Sequence, residues 1–563
     1  MRSVKFSDTA PMNSAQFDNR VINCNMPGNT GEKVFFLDCS SQQLEELPSA
    51  VLQLQHLEEL HLEKNFIHTI PGEIQHLKGL RVLYLQNNHL HGLCEELSEL
   101  KQLQSLDLSD NPLTSGPGFF HVLAQLFSLR ELRLYNLGIP ALPAQICKNI
   151  YNLELLGLSG NRLTMLPSEI RNLTKLREIY LQSNHLEIFP SVLKELPLLE
   201  IIDVEQNLLV SLPGEVCGPS WKRLFLASNR LTSLPTRLCK FGSLRVLDVS
   251  SNSLSKLPRN CHALTELLDL GLSHNNLGAF PPHIGRMCSL QVLYLKNTGL
   301  TKLHPKATSL KRLRLLDLSQ NGFTEFPEEI CALTDLQQLS LDDNKLQEIP
   351  GNIRSLTKLK CMGLTGNSFS HFPEAICGLQ SLEKLYMGQD QGLKIHTLPQ
   401  SISLLKNLRE LYLENNSIEV LPETIGLLLH LETLDCHNNL IKFLPDTLCC
   451  LQGLKHLLVQ NNCLTHLPEN LDRLQALETL QLEDNPLSDP SLSVCSQGIT
   501  AIHKYLQDKK WRRTQSTKIQ AWWRGVMVRR RLGPFKGLQT KEKKAKGKKD
   551  ARKGRKKSPK KKK

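Results

Sequence analysis

Aromatic residues make up only 5% of this 563-residue chain, and no stretch approaches the ~18 consecutive apolar residues of a bilayer-spanning helix. The amino terminus, MRSVKFSDTAPMNSAQFDNR, lacks the apolar run of a secretory signal. The 16 cysteines stand mostly alone, as at Cys94, Cys147, Cys217, Cys239, Cys261, Cys288, Cys331 and Cys377. Such spacing does not fit the disulfide framework of a secreted protein and predicts buried free thiols in a reducing, cytoplasmic setting. No GxxxxGK[ST] phosphate loop, HExxH, GxSxG or paired CxxC motif occurs. His89-x-His91 has no third ligand at a recognisable spacing, so no metal, cofactor or catalytic site is expected. Charge of one sign is missing too, once the chain is divided. The net +13 splits into −10 over residues 1–508 and +23 over residues 509–563. A globally basic nucleic-acid-binding fold is excluded; an acidic body with a basic tail remains.

What is present is a repeat. Leu60-His-Leu62-Glu-Lys-Asn65 aligns with Leu83-Tyr-Leu85-Gln-Asn-Asn88, and the frame continues through Asn111, Asn161, Asn184, Asn207, Asn229, Asn252, Asn275, Asn321, Asn344, Asn367, Asn416, Asn439, Asn462 and Asn485. Gln42, Leu137, Thr298 and Asp390 stand in that column in four further units, giving 20 repeats, most of them 23 residues apart. Within "xLxLx" the period of two predicts a strand. One strand cannot bury its own leucines, so units must stack and share a core. The Asn amide both donates and accepts, which suits the turns between adjacent units. The Pro that follows (Pro143, Pro167, Pro190, Pro213, Pro235) ends pairing and fixes φ. The "xxIxxL" spacing after it predicts a short helical or 3₁₀ turn. The pattern resembles the leucine-rich repeat over residues 34–495. It implies an α/β solenoid with a parallel sheet on its concave face, its frame weakest at Leu137 and at Met387–Leu398.

The residues between the leucines face solvent on that sheet. An aromatic precedes an aspartate by one strand five times: Tyr84/Asp107, Tyr180/Asp203, Phe225/Asp248, Tyr294/Asp317 and Tyr412/Asp435, with Tyr386 beside them. Aromatic anchors next to carboxylates suit a protein client with a basic surface. Tyr and Asp also suit a half-exposed sheet and its turns, and both readings stand at this point.

After Asn485 the repeat stops at Pro486 and Pro490, and apolar residues at 499, 502, 505 and 506 predict a helix capping the end of the sheet. Helical patterning continues to Gly533-Pro534. Ile519, Gln520, Arg524, Gly525, Arg529 and Leu532 fill all six positions of the pattern [FILV]QxxxRGxxx[RK]xx[hydrophobic]. The segment resembles the IQ motif, which implies calmodulin or a related EF-hand light chain as partner. Ile519, Trp523, Val526 and Leu532 are expected to form its apolar stripe in an acidic, Met-lined groove. Gln520, Arg524 and Gly525 then fall on the family's lobe-contacting, acid-pairing and close-approach positions. A helix folded back on the acidic solenoid, or lying on a membrane, is the competing expectation.

The whole layout resembles the leucine-rich repeat and IQ domain-containing proteins. The domains expected are a disordered segment 1–33, the solenoid 34–495, a capping helix with IQ motif 496–535, and a disordered Lys-rich tail 536–563. The tail has no aromatic residue, so specific nucleic-acid recognition is not expected. The resemblance implies a non-enzymatic intracellular scaffold in signal transduction. Solenoids of this class also resemble scaffolds that bind Ras-like GTPases, which puts such a GTPase among the expected clients. The alternative is a structural component of the cilium, axoneme or cytoskeleton holding a constitutive light chain, and the basic tail leaves a nuclear location open.

Overall fold

The computed structural model describes residues 33–530 apart from 114–116, 217, 241, 390 and 391. The expectations for residues 1–32, for Asp390 and for Leu532 and the Lys-rich tail lie outside the described residues. Among those described, twenty three-residue strands recur once per repeat, from Phe36–Asp38 to Thr479–Gln481. Each except the last buries its central residue; Leu480 of Thr479–Gln481 is partly exposed. Pairing is parallel and in register with the repeat, as in Leu247 opposite Leu270 and Leu411 opposite Leu434. The fold is therefore a leucine-rich-repeat solenoid with a parallel sheet.

The outer segments are mostly 3₁₀ turns opened by the predicted prolines, for example Ser168–Asn172 behind Pro167 and Glu423–Leu427 behind Pro422. Only the region around the long Asn111-to-Leu137 step has room for fuller helices, Pro117–Leu123 and Ala144–Asn149. Between strands and turns lies a leucine core; Leu60, Leu132, Leu272 and Leu434 are all completely buried.

The asparagine column ties the units together. The Asn88 amide donates to the carbonyls of Leu62 (2.9 Å) and Leu85 (3.0 Å), and its oxygen accepts from the Ile67 N–H (3.0 Å). Where Thr298 replaces Asn, its hydroxyl donates to the Leu295 carbonyl of its own turn (2.8 Å). Among the described residues no two cysteines form a disulfide, and many of them are buried. Of the Cys449-Cys450 pair only Cys449 is in the core.

The array reads in the sequence as one run, yet the chain forms two compact bodies, Met1–Met362 and Gly363–Lys563. The boundary falls at the strand Cys361–Gly363, upstream of the weak frame at 387–398. A solenoid contacts only its nearest neighbours, so a boundary needs no linker and leaves no mark in the repeat spacing.

Candidate functional site

Two surfaces carry the residues singled out by the sequence. On the first body, the pairing register sets Tyr180 beside Asp203, Asp203 beside Phe225, Phe225 beside Asp248, and Tyr294 beside Asp317. At ~4.8 Å per strand these residues span on the order of 30 Å of sheet. Tyr84 and Asp107 pair at one end, near Arg133. Tyr386, Tyr412 and Asp435 belong to the second body, where the two tyrosine rings stack 4.7 Å apart at 7°.

The aspartates are half-buried or buried rather than free arms. Each of the five spends one oxygen on a backbone N–H two residues on: Ser109 to Asp107 (3.0 Å), Glu205 to Asp203 (3.0 Å), Ser250 to Asp248 (2.9 Å), Ser319 to Asp317 (2.9 Å) and His437 to Asp435 (3.1 Å). Turn closure thus accounts for Asp at these positions and uses one oxygen of each carboxylate. The tyrosines are engaged likewise: the Tyr180 hydroxyl donates to Glu178 (2.7 Å) and that of Tyr412 to Glu410 (3.3 Å).

Sequence reasoning missed two members of the patch, both in the column on the other side of the buried leucine. Asp269 pairs with Val246 in the strand register, next to the Asp248–Gly271 pair, and Arg223 lies over the Phe225 ring at 5.2 Å. The signal was available, since both strand residues flanking a buried leucine face the same side. Burial, with the charge of Asp248 adding, lifts the carboxyls of Asp203 and Asp269 to about 6. Burial raises Asp107 as well, and raises the Tyr294 hydroxyl to about 12, helped by Asp269, Asp317 and Asp248.

Glycines in the outward column let a neighbouring side chain lie flat. A Cβ on Gly157 would come within 2.4 Å of the Tyr135 ring, and one on Gly271 within 2.2 Å of the Asp248 carboxylate. Gly157→Ala is expected to push Tyr135 off the sheet and cost about 1 kcal/mol. Urea denaturation measures this; a midpoint equal to the parent's would mean that the ring moves at no cost.

The second surface is the carboxyl-terminal helix, Ile499–Arg529, continuous from the cap region through the IQ segment. At ~1.5 Å per residue it is about 46 Å long. It meets the last outer turn, Leu471–Arg473, rather than the sheet edge, whose strand Thr479–Gln481 stays partly exposed. Ile502 and Leu506 are buried there. Around them the Tyr505 hydroxyl donates to Asp489 (2.9 Å), Lys509 pairs with the same carboxylate, Lys510 with Asp472, and Arg513 with Glu469 (2.6 Å). Beyond Arg513 the helix is exposed: Ile519 is 63%, Trp522 62% and Trp523 55% accessible. Gln520, Arg524 and Arg529 are exposed as well, while Gly525 and Val526 are partly covered. Among the described residues the competing fold-back is realised only through Lys509, Lys510 and Arg513, and leaves Ile519, Gln520, Trp523, Arg524 and Arg529 exposed.

No single apolar stripe runs along this helix. At ~100° per residue, the face of Ile502 and Leu506 and the face of Ile519, Trp523 and Val526 lie roughly 110° apart. One face serves the repeat, and the other faces solvent.

The family described as leucine rich repeat matches residues 36–90, 55–113, 127–186 and 219–277, and the leucine-rich repeat region family matches 304–414 and 393–495. The IQ calmodulin-binding motif matches 516–533. Leucine-rich repeat and IQ domain-containing protein 4 of Mus musculus is 49% identical over 159 residues, 28% of this chain and 26% of that protein. The Homo sapiens protein of the same name is 47% identical over 165 residues, 29% of each. The match therefore spans between a quarter and a third of these relatives' length. Among solved structures, a leucine-rich-repeat protein of Leptospira interrogans is 31% identical, with 72% of this chain and 91% of that chain covered and a TM-score of 0.52. A plant peptide hormone receptor, RGFR1 in complex with RGF2, is 27% identical at a TM-score of 0.54, with 80% and 78% covered.

Proposed function

Since the chain belongs to the leucine-rich repeat proteins, and within them to the leucine-rich repeat and IQ domain-containing family, we propose that it is a non-enzymatic adaptor joining two protein partners in the cytoplasm. Calmodulin or a related EF-hand protein takes the IQ helix. A client with a basic surface, a Ras-like GTPase among the candidates, takes the sheet face around Asp203, Phe225, Asp248, Asp269 and Tyr294.

The observation that carries this reading is the exposure of Ile519, Trp522 and Trp523 on a helix whose base is fixed to the last repeat. Large apolar side chains held in water are costly unless a partner covers them. From Lys509 to Arg530 there is no acidic residue, which matches an acidic partner. The full chain titrated calorimetrically with calmodulin, in calcium and in chelator, is expected to bind in at least one condition. Gln520→Ala with Arg524→Glu is expected to weaken binding tenfold or more. A wild-type chain that binds in neither condition removes the EF-hand half of the proposal. Binding only in calcium favours a signalling role, and binding that persists in chelator favours a constitutive light chain and hence the structural alternative.

A further inference from the structure

We propose that the EF-hand partner's footprint extends amino-terminal of the IQ motif, with Trp511 as an additional anchor; the inference rests on the EF-hand reading above. Trp511 precedes the matched segment 516–533, is 64% exposed, and belongs to the same unbroken helix. It lies away from the face of Ile502, Leu506 and Arg513 that meets the last repeat, so docking to the repeat does not account for a tryptophan there. The chain has four tryptophans; Trp221 is buried, and the other three stand exposed on this helix.

Their placement forms a line. Trp511, Gln515, Ile519, Trp522 and Val526 follow one another at intervals of four, four, three and four, which keeps them on one face of an α-helix. Trp511 and Trp522 are then separated by about 16 Å along the axis, within the span of one two-lobed partner. Arg512 and Lys518 flank the line and make no ion pair among the described residues, in contrast to Lys509, Lys510 and Arg513 on the docking side. An apolar line continuous with the IQ face and bordered by unpaired cations fits the same acidic, groove-bearing partner. That partner reaches Trp511 while the helix stays docked, because the two surfaces occupy different sides.

The test is calorimetry of the full chain against calmodulin, in calcium and in chelator, with Trp511→Ala, Trp511→Phe and Ile519→Glu compared with wild type in a condition where wild type binds. Wild type is expected to bind. Trp511→Ala is expected to raise Kd about tenfold, Trp511→Phe to recover most of the loss, and Ile519→Glu to weaken binding further. If wild type binds and Trp511→Ala binds equally well, the extended footprint is wrong while the EF-hand reading survives. If wild type binds in neither calcium nor chelator, both fall. Loss of self-association in Trp511→Ala, seen by sedimentation with unchanged calmodulin affinity, assigns the tryptophan to a second copy of the chain and likewise overturns the proposal.

Discussion

Asn275→Ala is expected to destabilise the first body by about 4 kcal/mol, the largest single effect among the substitutions considered. The Asn275 amide donates to the carbonyls of Val249 (3.0 Å) and Leu272 (2.9 Å), and its oxygen accepts from the Leu254 N–H (2.9 Å). Val249 keeps a second donor in Asn252 (3.0 Å) and loses little. The Leu254 N–H and the Leu272 carbonyl lose the partner that Asn275 provided, the latter because Thr298 stands where the next asparagine would reach it. Two orphaned buried groups at about 1–3 kcal/mol each give the estimate. Asn275→Thr is expected to recover part of it, as Thr298 does naturally by bonding its own turn. Urea unfolding followed by circular dichroism measures both variants. Because repeats couple only to neighbours, the alanine variant should also separate the transition into two steps. A loss under ~1 kcal/mol with one sharp transition would show that the column is dispensable in mid-stack.

The asparagine column was legible because its chemistry permits few substitutes: one side chain must donate across a repeat and accept back, and most units from Asn65 to Asn485 supply it at a spacing that is mostly 23 residues. The residue before each asparagine left no such signal. Lys64, Ser183, Gln206 and Asp343 all adopt φ between +51° and +58°. A turn held by neighbouring asparagines supports that conformation in many residue types, so composition does not reveal it. The aromatic–aspartate alternation was legible too, though its turn-closing role becomes visible only when Glu205 or Ser250 is seen donating back to the carboxylate. In the carboxyl-terminal helix the IQ residues could be named one by one. Its continuation into the IQ segment followed from the patterning, but the clasp of Asp472 and Asp489 on Lys510 and Lys509 depends on residues far apart in sequence, and periodicity carries nothing about it.

The sheet face should declare its use through pH. Asp203 and Asp269 have carboxyls lifted from 3.8 to about 6, first by burial and then by the charge of Asp248. Between about pH 4 and 6 the folded chain therefore binds more protons at these groups than the unfolded chain. Their contribution makes stability fall as pH rises through this window and leaves it at the lower level above pH 6. At ~1.4 kcal/mol per tenfold change, each carboxylate costs at most about 3 kcal/mol at neutral pH, and less than twice that together because they share Asp248. Asp203→Asn keeps an oxygen to accept from Glu205, removes the buried charge, and is expected to stabilise the first body at pH 7.5 and by only about a third as much at pH 4.5. Denaturation at the two pH values checks this, and equal midpoints for variant and wild type at pH 7.5 would reject it. Retaining a destabilising carboxylate beside Phe225 is intelligible if a partner's Lys or Arg offsets the cost on binding. The stabilised Asp203→Asn chain should then hold a basic client less tightly above pH 6 than wild type does, and the two affinities should converge as the pH falls and the wild-type carboxyl takes up its proton.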